Sequence, residues 1–199
     1  MSDISAVREL PHRPLAPMSS RRIRLRTITD RDNIFLYELM TSPQAGGRVR
    51  FGGGTPSPDK IASSLWESVL AQFIIESAHS QKPLGLVAIT SPNFRDGFAY
   101  TSALGATEVQ GSGLIAEGVL VGFNYVFTTW PFRKMYMEAT EESYRAFKSG
   151  LGRFFTEEGR LQKHTFWNGN FLDLLIFAVY RETWASYAPA FLNRLHAGP

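Results

Sequence analysis

The segment Gln110-Gly111-Ser112-Gly113 stands directly ahead of Leu114, Ile115, Val119, Phe123, Val126 and Phe127, apolar positions that recur at helical spacing. A glycine pair entering a helix has an electrostatic use. The backbone N–H groups of the first turn have no acceptor inside the helix, and the helix dipole adds roughly half a positive charge there. Gly111 and Gly113 let a ligand approach the main chain and Ser112 adds a hydroxyl, so the segment suits a phosphate. No Gly-Lys-Ser or Gly-Lys-Thr follows, so the lysine of a P-loop is missing. Gly111, Gly113 and Ala116 satisfy the looser dinucleotide fingerprint, but that turn follows its strand at once within repeated βαβ units. Here several residues separate it from Leu104 and one such unit is visible, which leaves a diphosphate cradle in a different fold.

Two further segments carry reactive or charged groups. Ser143-Tyr144 follows the strand-like run Lys134–Thr140, at the start of a short helix expected over 141–148. A serine there also reads as a helix cap, and a tyrosine as ordinary packing. Residues 44–54 hold five glycines with Arg48, Arg50 and Phe51, a loop that either moves or lets something approach closely.

The elements that must position these groups follow from periodicity. Residues 21–28 alternate as a strand, and Thr29-Asp30 caps a helix through Ile34, Leu36, Tyr37, Leu39 and Met40. Ser57-Pro58 opens a second helix to about Ser68. Ala71–Glu76 and Leu84–Ser91 read as an antiparallel pair, Gly97–Leu104 as a further strand, and Asn168-Gly169 as the turn of a hairpin between Leu161–Trp167 and Phe171–Tyr180. A last helix covers about Arg181 to Leu195. Antiparallel strands, one strand–loop–helix–strand unit and a closing hairpin make an α+β domain. Residues 1–19, with three prolines and no apolar period, read as a flexible N-terminal arm, and 20–199 as a single domain.

Composition excludes several classes. The 199 residues are 44% hydrophobic and 20% charged, the balance of a folded domain able to hold its own core. With no cysteine, thiol nucleophiles, cysteine zinc sites and disulfides are out, and a reducing, cytoplasmic setting is expected. The run Leu114–Phe127, broken by Glu117, Gly118, Gly122 and Asn124, is too short and polar for a bilayer, and the first residues lack the apolar stretch of a signal peptide. Net charge is +3, and residues 1–26 alone carry six arginines against Asp3 and Glu9. Arg22, Arg24 and Arg26 alternate with Ile23 and Leu25, which reads as the wet face of an edge strand rather than as a nucleic-acid surface.

Gln110 through Gly118 resembles motif A of the GNAT superfamily of acyl-CoA-dependent N-acyltransferases, in the form used by the branch that acetylates ribosomal-protein N-termini. The resemblance extends over about residues 21–187. It includes the helix ending Asn124-Tyr125-Val126-Phe127, the strand Lys134–Thr140, Glu141-Glu142-Ser143, the segment Phe155–Leu161, and Asp173 with Arg181-Glu182-Thr183-Trp184. Three positions depart from the pattern. Ile115 stands where motif A carries glycine or alanine, so a β-branched side chain could crowd a diphosphate. Thr140 replaces an asparagine, and the position that often carries a catalytic glutamate falls near Phe98 or Ala99.

The resemblance implies a mixed, mostly antiparallel sheet whose parallel strands Gly97–Leu104 and Lys134–Thr140 splay around acetyl-CoA. Leu104, Gly105 and Ala106 would pair with the pantetheine arm. The N–H groups from Val109, Gln110, Gly111, Ser112, Gly113, Leu114 and Ile115 would hold the diphosphate, with no metal. It further implies direct attack of an amine on the thioester, with Ser143 hydrogen-bonding the departing sulfur or ordering a water, and Tyr144 as the alternative. Glu138 is the first candidate base, followed by His164 and Glu117. A terminal α-amine titrates at about 7.7–8 against about 10.4 for lysine, so a site without a strong base favours a low-pKa amine. The acceptor, a protein N-terminus or a small-molecule amine, would be walled by loop 44–54 and the hairpin. There Arg48, Arg50, Phe51 and Trp167 point to some negative charge and an apolar patch. The alternative is a degenerate CoA-binding module with a regulatory or scaffold role. A homodimer stays open, and neither a membrane nor a nucleic-acid partner is expected.

Overall fold

The computed structural model describes residues 18–42, 51, 53–145 and 147–196. Seven strands, β1 (Ile23–Arg26), β2 (Val69–Ser77), β3 (Pro83–Asn93), β4 (Phe98–Gly105), β5 (Lys134–Ala139), β6 (Thr156–Trp167) and β7 (Asn170–Tyr180), form one sheet in the order β1-β2-β3-β4-β5-β7-β6. The β4–β5 pair is parallel and every other neighbour antiparallel. The helices are α1 (Asn33–Thr41), α2 (Pro58–Ser64), α3 (Leu114–Thr129), α4 (Glu141–Tyr144) and α5 (Arg181–His196). No helix among the described residues is long and apolar enough to cross a membrane.

Alternation along the strands builds two cores, one on each face. Ile23, Leu25, Ile75, Val87, Ala99 and Met135 pack with Val121, Phe123 and Val126 of α3 and Trp184 of α5. On the opposite face Ile74 and Leu86 pack with Leu36, Leu39 and Met40 of α1 and Ile61 of α2. The long α3 lies close to the sheet because it carries glycines where it crosses: a Cβ at Gly118 would stand 2.7 Å from Ile75. Such contact fixes where the N-terminus of α3 falls relative to β4. At its other end Arg181 donates to the carbonyls of Phe127 (2.6 Å) and Phe132 (2.7 Å), tying helix end, β5 entry and α5 together.

The expected elements are present, with boundaries that differ for local reasons. The helix expected to reach Ser68 stops at Ser64, because Ser68 takes a left-handed φ of 58° in turning the chain into β2. The helix expected over 141–148 ends at Tyr144, and Phe147 then turns into an aromatic cluster with Tyr144, Phe155 and Phe177. β6 starts at Thr156 rather than Leu161. It is an edge strand with most residues exposed, so it has no apolar alternation to reveal it. The Asn168-Gly169 turn has positive φ at both positions (47° and 81°), as a two-residue type I′ hairpin requires. Of the arm expected at 1–19, residues 1–17 lie outside the described residues, while the Met18 carbonyl accepts from Leu25 N–H and Ser19 bridges Arg24.

β1 is an edge strand, as its arginines suggest, but those arginines are tied to acids rather than simply hydrated. Arg24 meets Glu76 at 2.5 Å, and Arg26 bridges Glu76 and Asp32. Asp32 is 3% exposed and accepts from Arg26 at 2.8 and 2.7 Å, which holds its carboxyl at about 2 against 3.8 for the free group. A folded-state pKa below the unfolded one stabilises at pH values above the unfolded pKa, and the contribution disappears as pH falls through the folded value. Asp32→Asn is expected to cost on the order of 2 kcal/mol at pH 7. Denaturant unfolding should show the difference shrinking as pH is lowered from about 4 toward 2.

Candidate functional site

Parallel pairing between β4 and β5 covers three residue pairs, Phe98–Lys134, Ala99–Met135 and Tyr100–Tyr136, and then stops. Beyond that point β4 continues to Gly105 paired only with β3, and β5 continues to Ala139 paired only with β7. The strands therefore splay, as expected. The facing backbone groups of 101–105 and 137–139 have no strand partner across the gap, and Ser102 and Ala103 are exposed. At the apex Thr101, 8% exposed, carries an Oγ1 that is buried without a hydrogen-bond partner among the described residues. An orphaned buried hydroxyl beside unpaired backbone is costly, and a polar ligand in the gap would satisfy it.

The gap leads to the N-terminus of α3. Gly111 and Gly113 have φ of 74° and 77°, the left-handed region that glycine enters without strain. Ser112 Oγ donates to the Val109 carbonyl at 2.6 Å and accepts from Leu114 N–H at 3.2 Å. The N–H groups of Val109, Gln110 and Ser112 also donate within the turn. The N–H groups of Gly111, Gly113, Ile115 and Ala116 have no protein acceptor among the described residues. The turn is thus a prebuilt nest whose own serine holds its shape while four donors face outward.

Ile115 does not crowd those donors. Its side chain is directed into the sheet, where a Cβ at Gly105 would lie 2.6 Å from its Cγ1 and one at Gly85 would lie 2.7 Å from its Cδ1. Two glycines, one on β3 and one on β4, make the socket for a side chain that the motif does not carry. Glu117, in the first turn of α3, is 6% exposed and receives Arg22 Nε at 2.7 Å and Ser20 Oγ. It anchors β1 to the helix and is not placed to take a proton in the gap. Arg22 lies at the helix start, its Nη1 3.5 Å from the Ser112 carbonyl. Nothing local in the sequence signals this, because its partner Glu117 lies 95 residues away.

At the end of β5, Thr140 rather than Ser143 is the N-cap of α4: Thr140 Oγ1 accepts from Ser143 N–H at 3.4 Å and lies 3.3 Å from Ser143 Oγ. Thr140 thereby supplies the cap expected of Ser143, and Ser143 falls in the third position of the helix, just past the end of β5. Tyr144 stacks on Phe177 at 4.9 Å and meets Phe147 edge-on at 5.6 Å, an aromatic packing role.

Glu138 is exposed on β5, two residues past the last parallel pair, and on the same sheet face as Tyr136 and Tyr100. Its charge, after burial, pushes the Tyr100 phenol up. His164 is exposed on the outer part of β6, away from the gap. Phe51 packs on the α1–α2 core, and Trp167 sits beside the hairpin turn opposite Asn170. Arg48 and Arg50 lie outside the described residues. The candidate residues that border the gap are therefore those of β4, β5 and the α3 turn, with Ser143 in the short helix that follows β5.

No protein-family model matches the chain, and no curated protein matches it. Solved structures do. A spermidine N-acetyltransferase from Vibrio cholerae in complex with CoA and spermine is 22% identical, with 82% of this chain and 98% of that one covered and a TM-score of 0.72. The spermidine/spermine N-acetyltransferase SpeG from Vibrio cholerae in complex with manganese ions is likewise 22% identical, with 83% and 96% covered and a TM-score of 0.69. At that identity the likeness speaks to architecture, and together with the splayed parallel pair it establishes that this chain has the GNAT fold.

Proposed function

We propose that the chain is an acetyl-CoA-dependent N-acetyltransferase acting on a primary amine. The observation that carries this reading is the continuity of two unsatisfied surfaces: the splayed backbone of β4 and β5 with the buried Thr101 hydroxyl, and the four outward N–H groups at the start of α3. One suits an amide-containing arm and the other a diphosphate, and together they fit a pantetheine diphosphate. The solved neighbours named above, one of them in complex with CoA and spermine, support the same reading. The resemblance of motif A to the ribosomal-protein branch keeps a protein N-terminus among the acceptors.

In this reading the backbone of Leu104, Gly105 and Ala106 holds the arm. The α3 turn from Val109 to Ile115 holds the diphosphate, with Gly111, Gly113 and Ile115 as donors. Acetyl-CoA supplies the activated acyl group: the amine nitrogen bonds to the thioester carbon, the carbon–sulfur bond breaks, and the sulfur leaves as a thiolate. The chain supplies position and proton transfer. Glu138 receives the proton that the ammonium loses, directly or through water, and Ser143 donates a hydrogen bond to the sulfur or orders the water that protonates it. The balance is one amine and one thioester consumed, one amide and one thiol formed.

Isothermal titration should show acetyl-CoA binding, and free thiol should appear when an amine is added; absence of binding at millimolar cofactor would leave the degenerate-module reading. Ser143→Ala should lower kcat on the order of a hundredfold with little change in the acetyl-CoA dissociation constant. Gly105→Ala should displace Ile115 and raise the KM for acetyl-CoA more than the acceptor KM. Pairing it with Ile115→Ala should restore much of the loss, since the smaller side chain vacates the socket.

A further inference from the structure

The sheet face opposite α3 carries a surface of defined chemistry beside the gap. Residues in register on parallel strands share a face, so Phe98 and Tyr100 of β4 lie beside Lys134 and Tyr136 of β5, and Ser102 and Glu138 continue that face where the strands part. α1 and α2 cover this face over Ile74 of β2, Leu86 of β3 and Leu104, and the aromatic strip begins where that cover ends. The rings of Tyr100 and Tyr136 stand 5.3 Å apart and Phe98 lies 5.5 Å from Tyr136, a continuous half-buried π surface. Ser102 and Glu138 are exposed on the two sides of the gap, about 7 Å beyond its apex at two strand residues.

The charges on this face are almost settled internally. Lys134 lies over the Tyr136 ring at 4.4 Å and the Tyr180 ring at 5.4 Å, and it is held by Glu158 at 3.1 and 2.8 Å. Glu158 is further occupied by the Tyr180 hydroxyl. The surface thus already holds one ammonium against its aromatics, and the acid that neutralises it is spent. Among the described residues Glu138 has no cationic partner. Among those residues it stands as one uncompensated negative charge at the mouth of the gap, bordering an aromatic strip.

We propose that the acceptor is a monoamine carried on an aromatic or aliphatic body, its ammonium received by Glu138 and its body laid over Tyr100 and Tyr136. This rests on the N-acetyltransferase reading and specifies its second substrate. One carboxylate matches one ammonium; a polyamine would bring further cations to a face whose other acid is already paired, and an acidic peptide terminus would meet Glu138 with like charge. The aromatic strip also gives an apolar body somewhere to bury surface that a polyamine does not have. The placement puts the two substrates on opposite faces of the sheet, meeting through the gap.

The test compares 2-phenylethylamine, spermidine and a peptide with an acidic N-terminal residue as acceptors, read by thiol release. The expected result is a kcat/KM for 2-phenylethylamine about tenfold or more above both others, the discrimination that one unmatched charge gives. Glu138→Gln should raise the KM for 2-phenylethylamine about tenfold while the KM for acetyl-CoA stays within about twofold. Tyr136→Phe should keep the preference and Tyr136→Ala should lose it. A preference for spermidine or for the peptide, or an acceptor KM unchanged in Glu138→Gln, would overturn the proposal. Should no amine release thiol, the transferase reading fails, and the proposal is then judged by titrating 2-phenylethylamine into the CoA-saturated protein. Binding weakened about tenfold by Glu138→Gln then upholds the monoamine site as a binding site alone, whereas no binding or binding indifferent to Glu138 rejects the site as well.

Discussion

Loss of pairing between β4 and β5 beyond Tyr100 and Tyr136 is the constraint on which the candidate site depends. Inside a sheet every strand residue ordinarily satisfies its neighbours on both sides, and a buried backbone group without a partner carries a free-energy penalty of the order of a hydrogen bond. Here the outer strands keep each half of the split complete: β3 pairs with β4 as far as Gly105, and β7 with β5 as far as Ala139. The fold can therefore hold open one seam of unpaired groups because the seam is flanked by antiparallel ladders that close on either side. The orphaned Thr101 hydroxyl lies at the end of that seam.

The seam is useful only because α3 is registered against it. That register is set by small residues at close contacts: Gly118 where the helix passes Ile75, and Gly85 with Gly105 where Ile115 enters the sheet. Ile115 shows how a departure from a motif can be absorbed. A bulky side chain next to the glycine turn is accommodated where two strands give up their own side chains to receive it, and its N–H has no protein acceptor among the described residues. The pairing of Arg22 and Ser20 with the buried Glu117 adds a polar tie between β1 and the same turn. The geometry around the glycine turn is thus spread over β1, β3, β4 and α3, and substitutions in any of them reach the turn.

The two sheet faces have different chemistry. Under α3 the sheet is apolar and dense with aromatics, and Tyr144 and Phe147 belong to that packing. On the other face, past the cover of α1 and α2, tyrosines, a caged lysine and an exposed glutamate replace it. The short α4 stands at the end of β5 with Thr140 as its cap, and Ser143 follows in its third position.

Much of this was legible in the residues alone. The Asn168-Gly169 turn, the glycines before Leu114, the helical stripe of α3 and the alternation of the first strands are local signals, each encoded by residues within a turn or a few strand positions of one another. The diphosphate-suited turn and the splayed pair belong to that group, the second through the motif resemblance. Other features were hidden because their causes are distant in sequence. Glu117 read as a base candidate until Arg22, just ahead of β1, reached it from 95 residues away, and Ile115 read as an obstruction until β3 and β4 supplied the glycine socket. The start of β6 was invisible because an exposed edge strand has no burial period, and the grouping of Tyr100, Tyr136, Glu138 and Lys134 exists only through parallel register. Local patterning specifies elements and turns; which side chains share a face, a partner or a seam depends on how strands far apart in the chain are brought side by side.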